Sequence, residues 1–414
     1  MSTLQQCRAE TGADWSLWPH RALGSADTTI RYRTGTHRLI SPDETWSAVR
    51  PHLQTAGITR VADVTWLDDL GIPTAQAIRP ASLTLSVSQG KGTTLRAAQV
   101  SAVMESLEAW HSEQVIPDLA ATSARELAAE LTYDPADLPR PSGSLYHDRA
   151  RLDWMRATTL LSGETTWVPW SSVLVNVSVG RRWAPPLFTM DTNGLASGNT
   201  YSEAALHGLY ELMERHSVGT AVAGSTMFEV ADDDLAASAA AELIHRITDT
   251  GSALSVARID TWAGYFCFAA ELTSPLLEVP FAGYGLHHDP NVALLRAVTE
   301  AAQSRLTAIS GAREDLPAAI YDRFAKLHTY SPARRDMVTM PQAAEIPWRA
   351  TISDSIPELV GAAAASVTAA TGVEPVAAVC DFPGACVPVV RVLAPRLSTS
   401  TVSPMRTTLE GSTS

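Results

Sequence analysis

The sequence predicts an α+β fold. Three observations carry that reading: separated runs of strand-like alternation, one helix pattern written three times, and enough apolar sequence for a large core. The chain has 414 residues, 45% hydrophobic and 18% charged, which suffices for one large core or two interlocked ones and excludes disorder for most of its length.

Taken in order, residues 1–50 alternate polar and aromatic without sustained periodicity and read as a packed extension. GITRVADVTWL (57–67) alternates well enough for a strand. A break rich in turn residues, YDPADLPRPSGS (133–144), precedes a strand-rich stretch containing TTWVPWSSVLVNVS (165–178), and it serves as a surface loop or a domain boundary. Further strands are expected at SALSVARID (252–260), FCFAAELT (266–273) and PVVRVLAP (388–395). A small-residue helix near 357–371 ends at Gly372. The tail after Leu397 is polar and poor in core formers, so mobility is expected there.

The three helices carry the chemical information. SVSQGKGTTLRAAQVSAVMESLEAWHSE begins at Ser86, and DTNGLASGNTYSEAALHGLYELMERHSV begins at Asp191. A shift of 106 residues aligns them without a gap, placing Gly92 on Gly198, Glu105 on Glu211 and Glu108 on Glu214. A shift of 195 adds HDPNVALLRAVTEAAQSRL, with Ala293 on Ala98, Glu300 on Glu105 and Gln303 on Glu108. Thr200 with Glu203 reads as a capping box, and Asp289 before Pro290 as a cap followed by proline at the first helical position. In the first helix Val100, Val103, Met104, Leu107 and Trp110 are expected to form the buried stripe, flanked by Ser101, Glu105 and Glu108. Glu203, His207, Glu211 and Glu214 form the matching polar stripe of the second.

Glutamates on one amphipathic helix are commonly a solvated face. Three matched copies argue otherwise, because like charges held near one another repel and these rows lack interleaved lysines. Carboxylates facing one another across a cleft suit divalent cations with oxygen ligands, and magnesium usually arrives with phosphates. The glycine-rich lead-ins SQGKGTT (88–94) and GLASGNT (194–200) each feed a helix N-terminus, where free N–H groups favour an anion. Neither is a P-loop: Leu85 stands where that motif requires its first glycine.

Other classes recede. Thirty-one basic against 44 acidic residues leave a formal charge of −13 with no basic cluster interleaved with aromatics, so no nucleic-acid surface is expected. No apolar run is long enough to span a membrane, and MSTLQQCRAETGADW lacks a signal-peptide layout; a soluble cytoplasmic protein is expected. Cys7, Cys267, Cys380 and Cys386 form no Cys-x-x-Cys pair and no disulfide framework. His287-His288-Asp289 precedes Pro290 in a segment that reads as a turn, so helix capping by Asp289 is expected there and no zinc site.

At these residues the sequence resembles the YcaO family, ATP-dependent enzymes that activate peptide backbone amides. SxxxExxE falls at Ser101, Glu105 and Glu108; NxxxE at Asn199 and Glu203, continuing as ExxER at Glu211, Glu214 and Arg215; and Q/RxxxE at Arg296 and Glu300. The resemblance implies mixed sheets and helices surrounding a nucleotide cleft. It implies a domain over 56–400 with a surface loop at 133–150, an N-terminal extension over 1–55 and a mobile tail over 401–414. It implies that the motif residues bind ATP and Mg2+, with Glu105, Glu108, Glu203, Glu211 and Glu214 on the metal. Lys91 and Arg313 are further candidates for phosphate contacts, the alternative for both being ion pairs.

Two departures from the family pattern matter. Ala109 and Trp110 stand where many members place an arginine, and the chain ends LEGSTS rather than in the proline-rich tail of azoline-forming members. LSVSQGKG and SLEAWHSE look like the branch that works with a TfuA protein to convert a backbone amide to a thioamide. That branch implies a precursor peptide, a TfuA-type partner, a sulfide or other sulfur donor, and a homodimer. Azoline or amidine formation on the same ATP site and a non-catalytic nucleotide-binding scaffold are the alternatives.

Overall fold

The computed structural model describes residues 28–177, 185–221, 225–275, 277–315, 340–349 and 353–399. Cys7 and the tail over 401–414 lie outside the described residues. In chain order the strands are β1 (Arg60–Asp63), β2 (Thr74–Ile78), β3 (Val87–Lys91), β4 (Leu119–Thr122), β5 (Leu152–Thr159), β6 (Thr165–Pro169), β7 (Leu195–Ser197), β8 (Met227–Glu229), β9 (Ala253–Ile259), β10 (Phe266–Ser274), β11 (Leu277–His287), β12 (Val376–Val379) and β13 (Val389–Leu393). The α-helices are α1 (Pro42–Val49), α2 (Leu95–Gln114), α3 (Tyr201–Thr220), α4 (Asp232–Ala237), α5 (Ala241–Asp249), α6 (Pro290–Ser310) and α7 (Ile356–Thr371). No helix among the described residues is long and apolar enough to cross a membrane.

The strands make three antiparallel sheets, ordered β1-β2-β3, β4-β5-β12-β13-β7 with β6 beside β5, and β11-β10-β9-β8. β3, β7 and β11 each stand at one end of their sheet, and each leads into one of the three similar helices. The helices pack cyclically: α2 on β3 and β7, α3 on β7 and β11, α6 on β11 and β3. The sequence repeat is therefore a strand–helix repeat wound around a pseudo-threefold centre, and the acidic rows meet where the three units meet.

Two glycines show why the strands can lie so close. A Cβ on Gly90 in β3 would sit 2.1 Å from Ala98 O, and one on Gly285 in β11 would sit 2.1 Å from Ala293 O. The two positions correspond under the repeat, so the first glycine of the GKG lead-in serves strand–helix contact rather than a phosphate loop. That approach also corrects the expected buried stripe of α2. Small residues face the sheet, and the buried set is Ala98, Ala102, Val103, Ser106, Leu107, His111, Ser112 and Glu113, while Val100, Met104 and Trp110 are half-buried.

Other local expectations fare variously. β9, β10 and β13 fall where alternation predicted them, and α7 ends at Gly372 with φ 75°. The strand expected over 57–67 stops at Asp63, whose carboxylate accepts the Thr65 N–H and turns the chain. Asp289 caps α6 by accepting from the Asn291 N–H. The Thr200 box is half formed: Thr200 accepts from the Glu203 N–H, but the Glu203 carboxylate is drawn to other donors. Within 133–144, Tyr133 and Leu138 are buried in the core beside Trp154.

One buried ion pair anchors α2. Arg79 Nη1 and Nη2 lie 2.7 and 2.6 Å from the two Glu113 carboxylate oxygens, which also accept from Ser82 Oγ, Thr84 Oγ1 and the Leu83 N–H. Glu113→Ala leaves the Arg79 guanidinium buried without its counter-charge. It should lower unfolding free energy by about 3–5 kcal/mol, read from urea titration; an unchanged midpoint would contradict this role.

Candidate functional site

The repeat dictates how the carboxylates are held. Glu108 of α2 accepts from the N–H (2.8 Å) and Oγ (2.6 Å) of Ser197 in β7, and Glu214 of α3 accepts from the Leu286 N–H (3.0 Å) in β11. Ser197 and Leu286 are the repeat equivalents of Lys91, so each of these glutamates reaches the neighbouring unit's strand at the same place. The other glutamates turn to their own strands: Glu105 is hydrogen-bonded at Gln89, and Glu211 accepts from the Gly194 N–H at 3.1 Å.

Glu105, Glu108 and Glu211 repel one another across the α2–α3 junction. Burial, then the neighbouring carboxylate Glu211, pushes Glu105 up to about 7 against the pull of Arg313 and Lys91. Burial, with Glu105 and Glu211 adding to it, pushes Glu108 up to about 8 against its Ser197 bonds. Burial also raises Glu211, opposed by Arg215. Three half-buried carboxylates whose charges disfavour one another are a donor set suited to a hard divalent cation that can enter from solvent.

Cations ring this cluster. Lys91 Nζ lies 2.5 Å from Glu300, Arg215 3.7 Å from Glu211 and Arg296 3.7 Å from Glu214. Arg313 forms a two-pronged pair with Asp315 at 2.9 and 2.5 Å. Against the cost of burial, Lys91 and then Arg215 hold Glu300 below its ordinary range. Lys91, Arg215, Arg296 and Arg313 are between 20% and 33% exposed, so their charge is reachable from solvent. Arg215 Nε and Arg296 Nε are buried without a hydrogen-bond partner among the described residues.

Glu203 and Asn199 are engaged differently. Glu203 accepts from the Leu39 N–H (3.0 Å), the Asn199 N–H (3.2 Å) and Asn199 Nδ2 (2.9 Å), with Arg38 at 3.5 Å. Asn199 Oδ1 accepts from Thr45 Oγ1. This pair ties the N-terminal segment to the start of α3, and both Glu203 oxygens already hold protein donors. Ser101 lies half-buried one turn before Glu105.

Sequence reasoning missed three contributors. Ser197 fixes Glu108, Arg38 enters from the N-terminal segment, and Arg391 in β13 adds positive field at Glu211 while its Nη2 pairs with Asp191 at 2.7 Å. No local motif marks any of them. Where many family members place arginine, Trp110 instead packs edge-on against Phe382, 4.9 Å between ring centroids. Burial pushes the Cys380 thiol up to about 12 and Cys386 to about 11, so neither is a thiolate near neutrality.

Comparisons with known proteins bear on the family and the fold. Residues 89–398 match the family model described as YcaO cyclodehydratase, ATP- and Mg2+-binding. An uncharacterized protein of Mycobacterium tuberculosis is 65% identical over 401 residues, covering 97% of this chain and 91% of its own length. A protein described as lying in the tfuA 3′ region of Rhizobium leguminosarum bv. trifolii is 36% identical over 396 residues, 87% of this chain and 88% of its own. The structure of YcaO from Methanopyrus kandleri bound with AMPPCP and Mg2+ superposes with a TM-score of 0.65 at 22% identity, covering 90% of this chain and 95% of that one.

Proposed function

The chain belongs to the YcaO family, whose enzymes bind ATP and Mg2+ and modify peptides, and we propose that it installs a thioamide on a ribosomally made precursor peptide together with a TfuA-type protein. The observation that carries the thioamide reading is the 36% identity, over most of both chains, to the protein of the tfuA 3′ region.

The reaction needs ATP because an amide oxygen leaves poorly until it is phosphorylated. Hydrosulfide, or sulfur from a donor protein, adds to the peptide carbonyl carbon. The resulting oxyanion attacks the γ-phosphorus of ATP and ADP departs. Phosphate then leaves with the former carbonyl oxygen as the sulfur loses its proton and the C=S bond forms. Magnesium, when bound, neutralises phosphate charge.

In this reading Glu105, Glu108, Glu211 and Glu214 would hold the metal, while Glu203, also expected on it, has both oxygens engaged by the Leu39 N–H and Asn199. Glu203 and Asn199 position Arg38 and the start of α3 beside them. Lys91, Arg215, Arg296 and Arg313 supply charge for the phosphates, and Ser101 and Glu300 complete the motif positions. The high thiol pKa values of Cys380 and Cys386 favour a sulfur source outside these residues. The protein would act in the cytoplasm as a homodimer.

Cyclodehydration is the second reading, favoured by the description of the matching family model. Phosphate release and intact peptide mass, measured with ATP, magnesium, sulfide, precursor peptide and the TfuA-type protein present or singly omitted, separate the readings. The expected result is ATP- and partner-dependent exchange of one oxygen for sulfur. Loss of one water would replace the proposal with ring formation. ATP binding with no peptide-dependent phosphate release would replace it with a scaffold.

A further inference from the structure

Three histidines far apart in sequence meet beside α3, outside the carboxylate cluster. His37 lies in the turn closed by the bridge between Tyr32 and Arg38, His287 ends β11, and His288 directly precedes the α6 cap Asp289. Ring centroids are 5.0 Å apart for His37–His287, 5.5 Å for His37–His288 and 4.0 Å for His287–His288. One ligating atom from each lies within 4.8 Å of the others. Sequence spacing pointed away from zinc here because two adjacent histidines cannot reveal a third brought in by the N-terminal segment.

The hydrogen bonds of two of the rings leave one nitrogen each unengaged. With Nε2–H donating to the Asp289 carboxylate 3.3 Å away, rather than Nε2 accepting from Arg33 at 3.4 Å, the His37 lone pair sits on Nδ1. His288 Nδ1 is bonded to Tyr210 Oη; with Nδ1–H donating, its lone pair sits on Nε2. His37 Nδ1 and His288 Nε2 are both buried without a hydrogen-bond partner among the described residues. The three residues are 8%, 6% and 9% exposed in chain order, so water does not compensate freely for the missing partners. A ring nitrogen that ligates while its opposite N–H donates to a carboxylate or hydroxyl is the common outer-shell arrangement of metal-bound histidine.

His287 Nδ1 accepts the Asp289 N–H at 3.0 Å, a bond it can exchange for an ion. Asp289 contributes its carboxylate, and the cations around the cluster are each paired with an acid: Arg33, 3.4 Å from His37 Nε2, with Asp354, and Arg38 and Arg296, whose charges reach His287, with Glu203 and Glu214. A cavity of about 400 Å3, lined in part by Asp289, Arg33, Gly35 and Trp348, reaches the cluster at His37.

We propose that His37, His287 and His288 bind one zinc-class transition-metal ion, separate from the oxygen-ligated magnesium, with the fourth coordination position facing this cavity. Three neutral imidazoles select zinc or a neighbouring first-row ion and disfavour magnesium, and three protein ligands leave a position for water or an exogenous ligand.

The test uses the full chain freed of any affinity tag, stripped with chelator, reloaded with Zn2+ or Co2+ and desalted. Mass spectrometry should find one zinc ion per chain, and X-ray absorption on the zinc form should show a shell containing three imidazole nitrogens. Co2+ loading should give the intense visible bands of a four-coordinate site. His37→Ala and His288→Ala should each abolish stoichiometric retention while Mg2+–ATP binding persists. Tyr210→Phe, which loses only the bond to His288, should weaken zinc about 10- to 100-fold. Wild-type protein that retains no stoichiometric zinc, or an absorption shell without three imidazoles, would overturn the assignment even if the histidine variants failed to fold.

Discussion

Glu211→Gln should lower ATP-dependent phosphate release by about 100-fold or more, the size of effect seen when a preorganised charge is removed from a transition state. Glu211 is the carboxylate that couples the two acidic helices, since its charge acts on both Glu105 and Glu108. Glutamine preserves its volume and can still accept from the Gly194 N–H. What it removes is the negative charge offered to a divalent ion. The fold should survive, and the melting temperature without magnesium should hold or rise, because a half-buried charge repelled by its neighbours has gone. Glu214 is a less decisive choice: its side chain is 4% exposed against 21% for Glu211, so its loss mixes folding with binding. Turnover by Glu211→Gln within a few-fold of wild type would remove Glu211 from the metal set.

The ends of the three helices were legible in the sequence because caps are local. Thr200 and Asp289 are read within four residues of the bonds they make. The acidic rows were legible because the repeat placed them in register. Their closure into one cluster is tertiary: it depends on β3, β7 and β11 each ending a sheet, and on Gly90 and Gly285 letting a helix lie against a strand. The same contact turned the small residues of α2 inward, where a hydrophobicity count had placed Val100, Met104 and Trp110. Arg38 and His37 escaped notice for a related reason. They lie in a segment without periodicity, and only the bond from the Leu39 N–H to Glu203 and the contact with Asp289 bring them to α3 and α6.

The raised carboxylates also fix how stability should vary with pH. Glu105, near 7, and Glu108, near 8, are held above their ordinary value of 4.5. In metal-free protein the folded state therefore keeps protons that the unfolded chain has released, and this contribution is complete below about 4.5 and lost as pH rises through about 7 and 8. Because the two carboxyls interact, they titrate as a pair. The buried histidines His207 and His287 act oppositely, since burial holds both well below 6.5 and the unfolded imidazoles lose their protons around that value. The carboxylates are thus isolated above the histidine range. With chelator present, the melting temperature should fall by a few degrees between about pH 7 and about pH 9, and Glu108→Gln should flatten that fall. Saturating Mg2+ with a non-hydrolysable ATP analogue should restore stability most at the alkaline end, because the ion takes the place of the protons and its binding releases them. A magnesium effect independent of pH across this range, or one larger at the acidic end, would mean that Glu105 and Glu108 do not receive the ion.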